Sequence, residues 1–369
     1  MTLRDLAARV EAMAPSALAE SWDNVGLQIG DPGAPVRRAM TCLEATTPIF
    51  EEAQRRRADV LIAHHPLIFR PMKTLRADRP AERLAVEVAA LGLGLIVAHT
   101  NLDAAPWGTN HALAEACGLR DVEPLQPAAP EPIYKLVVFT PEGCVQAVID
   151  AIDRGGGGRI GDYTHCTFRA PGTGTFLGGE GTDPFIGKAG RLEEAGELRI
   201  EAIVPESARD RVEDELLEVH PYEEPAFDWI PLRAEPTAGL GLVAELKRAE
   251  SPAAIARSIK RRLKLEWMRV SGPTRTPIER LAICTGSGGS LLGAAQSAGA
   301  GALLTGEANY HAAVEAHHRG MALIEIGHFE SERIVVKPWA KKLAADAEIA
   351  KAGVEIIAAE DDLQPYRMV

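Results

Sequence analysis

The 369-residue sequence predicts an α/β protein: one split domain with mostly parallel sheets and flanking helices, interrupted by a ferredoxin-like α+β insert. Three observations predict it. Short apolar runs such as VLIA (60–63) and LIVA (95–98) alternate with segments of helical periodicity, the pattern of strands feeding crossover helices. Residues 121–132, DVEPLQPAAPEP, carry four prolines in twelve positions, too many for a core element, and mark a linker. From Leu240 the first style returns, so the flanking stretches are two halves of one domain. The expected boundaries are 1–125 for the first half, 133–233 for the insert and 238–369 for the second half.

Each element has its own local reason. Leu3, Leu6, Val10 and Met13 recur at helical spacing, and Pro15 closes that helix. SWDNVGLQIGD (21–31) reads as a polar turn and RAMTCLEA (38–45) as a strand. Thr47 suits the cap of the next helix and Pro48 its first turn. DVLIAHHP is a buried strand ending in two histidines; a helix over 80–91, the strand GLIVAHT and the loop NLDAAPWGTN follow. In the insert, YKLVVFT, ELRIEAIVP and FDWIPL read as strands, and PEGCVQAVIDAIDR and ARDRVEDELLEVH as helices. The glycine-rich stretch 155–187 reads as loop-rich. This order is the split-βαβ pattern. Beyond it, GLVAEL, RLAICTG, ALLTGE and ALIEI are strands; SPAAIARSIKRRL, with Ser251 as cap, GSLLGAAQSAG, ANYHAAVEAHHRG and KPWAKKLA are helices.

Composition excludes several classes. Lys+Arg number 40 against Asp+Glu 52, a formal charge of −12, which argues against a nucleic-acid coat that would need a basic face. Five scattered cysteines with no CxxC pair fit reduced thiols better than a disulfide framework. No apolar run approaches the roughly 18–20 residues of a membrane span, and the N-terminal stretch has no apolar signal region. A cytoplasmic protein is expected.

The chemistry concentrates at strand ends. His64 and His65 follow VLIA, His99 and Asp103 follow LIVA, and His328 and Glu332 follow ALIEI. Ligands of open α/β sheets bind beyond the carboxyl ends of strands, so these clusters can converge on one crevice. Imidazole plus carboxylate donors suit Zn, Fe, Mn, Co or Ni. These donors exceed in number the normal need of one open site and point to two divalent ions per chain. Each residue also has a plainer reading. A lone strand-end His is usually a surface group, and Asp103 alone fits a turn. Glu332 shares a helical face with His328; Glu330 would be the partner if the segment stayed extended. CTGSGGS (284–290) fits an anion-binding turn or a tight turn, and matches neither the dinucleotide nor the P-loop fingerprint. Glu307 and His311, four apart, fit substrate contacts or a solvated helix start, and the role of His99 stays open. His317 and His318, and the run Arg55–Arg57, read as exposed helix faces.

With these residues in hand, the chain resembles the GTP cyclohydrolase 1 type 2 homologue family, the dinuclear-metal-centre proteins. The matching motifs are SWDNVGLQIGD, LIAHHPLIF, AHTNLDAAPWGTN, CTGSGGS, TGEANYH and GHFESE. Within the insert, RIGDY, GTDPFIG, ELRIE and HPYEEPAFD match the longer members, whose insert is PII/CutA-like. The resemblance implies metal ligands at His64, His65, Asp103, His328 and Glu332, and a homohexameric toroid. It also implies a metal-dependent hydrolase, with ring opening of GTP or another small nucleotide-like substrate as its reaction. The alternative is a regulatory or scaffold protein with structural metals and a ligand-sensing insert.

Overall fold

Period-two alternation builds the first sheet. In the strand Val60–Ala63, Val60 and Ile62 pack into one apolar cluster while Leu61 and Ala63 pack into another. A sheet with two buried faces must be covered on both. The helices Leu3–Met13 and Val336–Ala344 cover one face, through Leu3, Leu6, Val10 and the fully buried Trp339. Thr47–Arg55 and Pro80–Ala90 cover the other, through Ile49, Phe50 and Val88. The computed structural model describes residues 1–161 and 163–367. Its five strands run in the order Gly26–Ile29, Gly94–Val97, Val60–Ala63, Arg38–Cys42, Glu355–Ala358, and only the first pairing is antiparallel.

A second sheet repeats the plan. Its order is Arg269–Ser271, Ala322–Glu325, Ala302–Glu307, Ile278–Ser287, Gly239–Glu250, Val122–Pro127. Leu281, Ile283, Leu304 and Ile324 face the helices Thr109–Cys117 and Pro252–Leu263. Ala282, Leu303 and Leu323 face Leu292–Ser297 and Tyr310–His318. Only the two central pairings are parallel, so the expectation of mostly parallel sheets fits the first sheet and not the second.

Several expectations need correction. The proline-rich stretch is not all linker: Val122–Pro127 is an edge strand, where Pro124 and Pro127 need no outward ladder donor. Gly26–Ile29, read as part of a turn, is likewise an edge strand. The cap of the second helix is Thr46, and Thr47 is its first residue. Arg55 and Arg56 do more than face solvent. Arg55 pairs with Asp361, and Arg56 donates to Glu52 and to the Ala358 carbonyl, tying down the C-terminal segment.

The chain divides into two compact units, Met1–Ala128 with Thr237–Val369, and Ala129–Pro236. The second has one antiparallel sheet in the order Thr167–Leu177, Leu192–Pro205, Ile133–Thr140, Phe227–Leu232. Val145–Gly155 and Glu206–Val219 bury Val148, Ile152, Val212 and Leu216 against it. Part of the glycine-rich stretch read as loop is therefore the strand Thr167–Leu177. It lies at a sheet edge, where Pro171 and its neighbouring glycines are tolerated.

Candidate metal centre

The carboxyl ends of strands from both sheets of the larger unit meet at one point. His64 and His65 follow Val60–Ala63, and Asp103 lies in the short helix Thr100–Ala104 after Gly94–Val97. His328 and Glu332 begin and end the helix His328–Glu332 after Ala322–Glu325. That helix turns both side chains to one face, as the i, i+4 spacing requires. Glu330 points elsewhere and accepts from Gln364 Nε2 at 2.7 Å.

The structure brings all five expected residues together. His64 Nε2 lies 3.6 Å from Asp103 Oδ1 and 3.9 Å from Glu332 Oε1. His65 Nε2 and His328 Nε2 lie 2.9 and 3.1 Å from Glu332 Oε2. His99 joins them. Two overlapping groups have donor atoms close enough to hold a cation: His64, His65 and His99, and His65, His328 and Glu332.

Every ring is held by its other nitrogen. Nδ1 of His64 lies 3.0 Å from the Ala98 carbonyl, and that of His65 lies 3.0 Å from Glu44 Oε1. Nδ1 of His99 lies 2.9 Å from Asp23 Oδ1, and that of His328 lies 3.2 Å from Glu307 Oε1. Acceptors on all four Nδ1 atoms set the tautomer that leaves Nε2 as the free donor, the usual support for metal-ligating histidine. Thr109 Oγ1 donates to Asp103 Oδ1 and meets Thr285 Oγ1 at 2.9 Å. The glycine-rich turn also serves the cluster: a Cβ on Gly286 would collide with Glu332 Oε1.

His64 Nε2 is buried without a hydrogen-bond partner. An unpaired buried polar atom costs free energy, and a cation shared with the neighbouring carboxylates removes that cost. The donor set therefore fits a divalent metal. Burial raises the Asp103 carboxyl pKa, whereas the surrounding histidines overcome burial and hold Glu332 well below the usual range. Burial opposes charge on His65, yet Glu332 and Glu44 outweigh it and raise its pKa to about 10. Beside Glu332, His328 rises to about 9. For Asp23, bonds from His99 and Thr100 outweigh burial and keep the carboxyl well below the usual range.

A match to the family described as Duf34/NIF3 (NGG1p interacting factor 3) covers residues 1–365. The chain belongs to that family. It is 37% identical over 360 residues to the GTP cyclohydrolase 1 type 2 homolog of Halalkalibacterium halodurans, covering 97% of this chain and 96% of the relative. It is 35% identical over 357 residues to the protein of the same name from Bacillus subtilis, covering 96% and 95%. A Bacillus cereus protein related to NIF3, 34% identical, superposes with a TM-score of 0.87 over 100% of this chain and 99% of that one. The Duf34/NIF3 family is the one that the strand-end motifs resemble.

Among the other candidate residues, Glu307 reaches the cluster through His328, while His311 is exposed and packs on Tyr310. His317 and His318 are exposed, as expected. Reasoning from sequence passed over Asp23, Glu44, Thr109 and Thr285. Glu44 and Thr285 sit at strand ends like the ligands and were open to the same argument. Asp23 lies in an irregular loop and carries no periodic signal.

Proposed function

We propose that the chain holds two divalent metal ions among His64, His65, Asp103, His328 and Glu332, and acts as a metal-dependent hydrolase on a nucleotide-like substrate. Ring opening of GTP is the reaction that the relatives' names suggest. One observation carries the reading: His65, His328, Asp103 and Glu332 converge around the buried His64 Nε2, which no protein group satisfies. Zn, Fe, Mn, Co and Ni all suit these donors. Bound there, divalent ions acidify water and polarise an electrophile. The chain's own residues orient that chemistry. The Ala98 carbonyl, Glu44 and Glu307 fix the ligand rings, Asp23 fixes His99, and Thr109 fixes Asp103. The five residues contribute two negative charges against four positive charges from two divalent ions. The ions therefore keep a positive excess over their own ligands for an anionic substrate, with Asp23, Glu44 and Glu307 set behind the rings.

We extend the proposal to a homohexamer in the cytoplasm, the assembly that the family resemblance implies. All five cysteines are free, as a reducing compartment keeps them. No helix among the described residues is long and apolar enough to cross a membrane. Metal analysis of protein purified without added metal should find about two ions per chain, and His64→Ala with Glu332→Ala should lose them. A metal-replete sample that turns over neither GTP nor a nucleotide panel refutes the substrate. Metal-free protein refutes the centre.

A second reading, a ligand-sensing insert, is favoured by a cavity of about 670 Å³ within the smaller unit. Phe185 of GTDPFIG, Glu197 and Arg199 of ELRIE and Tyr222 of HPYEEPAFD all line it. Its volume is that of small-molecule pockets. A ligand screen by thermal shift, with Tyr222→Ala removing the hits, tests that reading.

A further inference from the structure

The motif SWDNVGLQIGD supplies Asp23 to the cluster, yet its most conspicuous residue is an exposed tryptophan. Trp22 is 55% exposed and Phe69 is 43% exposed. Their ring centroids lie 5.7 Å apart at a 59° tilt, and Trp22 meets the His99 ring edge-on at 6.2 Å. Two large apolar rings left in water side by side, at the margin of a polar cluster, call for an explanation, whereas a single exposed apolar residue does not.

Burial does not hold these rings in place; a polar network holds the backbone beneath them. Gln28 grips Ile68 with both ends of its amide: Nε2 donates to the Ile68 carbonyl at 3.2 Å, and Oε1 accepts from Ile68 N at 2.9 Å. Asn24 Nδ2 also donates to the Ile68 carbonyl. On the other side of Trp22's loop, Asp23 accepts from Thr100 N at 3.0 Å and pairs with His99 Nδ1. The loop of Trp22, the loop of Phe69 and the His99 turn are thus tied to one another while both rings face solvent. Such stiffness lowers the ordering cost of binding, which is what a recognition surface needs and a passive loop does not.

We infer that Trp22 and Phe69 form an aromatic shelf that stacks a planar heteroaromatic ring against the His99 side of the cluster. The inference rests on the reading of that cluster as a metal centre for a nucleotide-like substrate, and it names the residues that take the base. Aromatic faces at these separations accept a third ring in offset or edge geometry. Stacking on an aromatic side chain tolerates any base, so the shelf selects for a ring system and leaves the anionic tail to the positive site.

Binding of GTP, guanosine and inorganic tripolyphosphate to the full chain tests this by calorimetry, with metal content and oligomeric mass measured on the same samples. The wild-type protein should prefer GTP to tripolyphosphate by about tenfold or more. Trp22→Ala and Phe69→Ala should each weaken GTP and guanosine by about ten- to a hundredfold and leave tripolyphosphate unchanged, while Trp22→Phe keeps most of the affinity. Phe168→Ala, at a ring 67% exposed in the insert, should change nothing. A wild-type protein with no preference for ringed ligands, or a Trp22→Ala variant that keeps the preference, overturns the shelf while leaving the metal reading intact. A change of oligomeric mass in Trp22→Ala also overturns it, because the ring would then serve contact between copies. Wild-type protein without metal overturns the underlying reading, and the shelf with it.

Discussion

Gly286→Ala tests whether the glycine-rich turn makes room for Glu332 as a metal ligand. Gly286 has φ +60°, and a Cβ there would collide with Glu332 Oε1. Gly320 has φ +68°, and a Cβ there would meet nothing within 4 Å. The left-handed backbone costs either alanine variant about 1 kcal/mol. Only Gly286→Ala must also push the Glu332 carboxylate back, by about 1 Å, to restore ordinary van der Waals contact. The carboxylate is buried between the His65 and His328 rings, so the push strains those contacts in the metal-free protein as well. Ligation suffers more, since metal–ligand distances tolerate only about 0.2 Å. In chelator Gly286→Ala should lose more stability than Gly320→Ala by urea unfolding. In titrations of the chelator-stripped protein with Zn²⁺, Mn²⁺ or Co²⁺, Gly286→Ala should bind at least about ten- to a hundredfold more weakly than Gly320→Ala. Equal affinities would refute the placement of Glu332 as a ligand.

Other outcomes are fixed by the same geometry. With pKa values raised to about 10 and about 9, His65 and His328 carry protons at neutral pH in the metal-free protein and must release them on ligation. Metal affinity should therefore rise with pH up to that range. The two groups' own contribution to metal-free stability is full below their unfolded value near 6.5 and lost as pH climbs through 9 to 10. Calorimetry in buffers of different ionisation enthalpy reads the released protons, and a buffer-independent heat would contradict the assignment. Glu44→Gln removes the anionic acceptor of the ligand His65 and should weaken metal binding by about tenfold. Asp346→Asn, which removes the charge paired with Arg9 and keeps an oxygen to cap the helix Ala347–Lys351, should not change it; metal titration compares the two. Trp339→Ala, at a fully buried ring, should cost about 3–5 kcal/mol in urea unfolding. A loss below about 1 kcal/mol would show that the ring is not central to the first sheet's packing.

The strands VLIA and LIVA were legible because both faces are covered, which writes a short unbroken apolar run into the sequence. Their terminal histidines were legible for the same reason: polar residues directly after such a run have few structural excuses. The division of the strands between two sheets was not legible, because strand order is a matter of long-range pairing that no local pattern encodes. Val122–Pro127, Gly26–Ile29 and Thr167–Leu177 were missed because edge strands tolerate proline, glycine and polar residues that locally signal turns. The contacts of Asp23 with His99 and of Glu44 with His65 join residues 76 and 21 positions apart, distances at which spacing carries no information.

Where the chain leaves the larger unit and where it returns, Pro127 and Gly239 pair across adjacent antiparallel strands. Within the smaller unit the first and last strands also pair, Ile133 opposite Leu232. The smaller unit is thus a folded clasp on what would otherwise be a hairpin loop of about a hundred residues, whose closure as a flexible chain costs about 4 kcal/mol. When the clasp forms first, that entropy is already spent and the hairpin closes almost as a short loop. Damage confined to the clasp therefore slows assembly of a sheet whose own residues are intact, and a refolding experiment on such a variant would show the delay in the larger unit's signal.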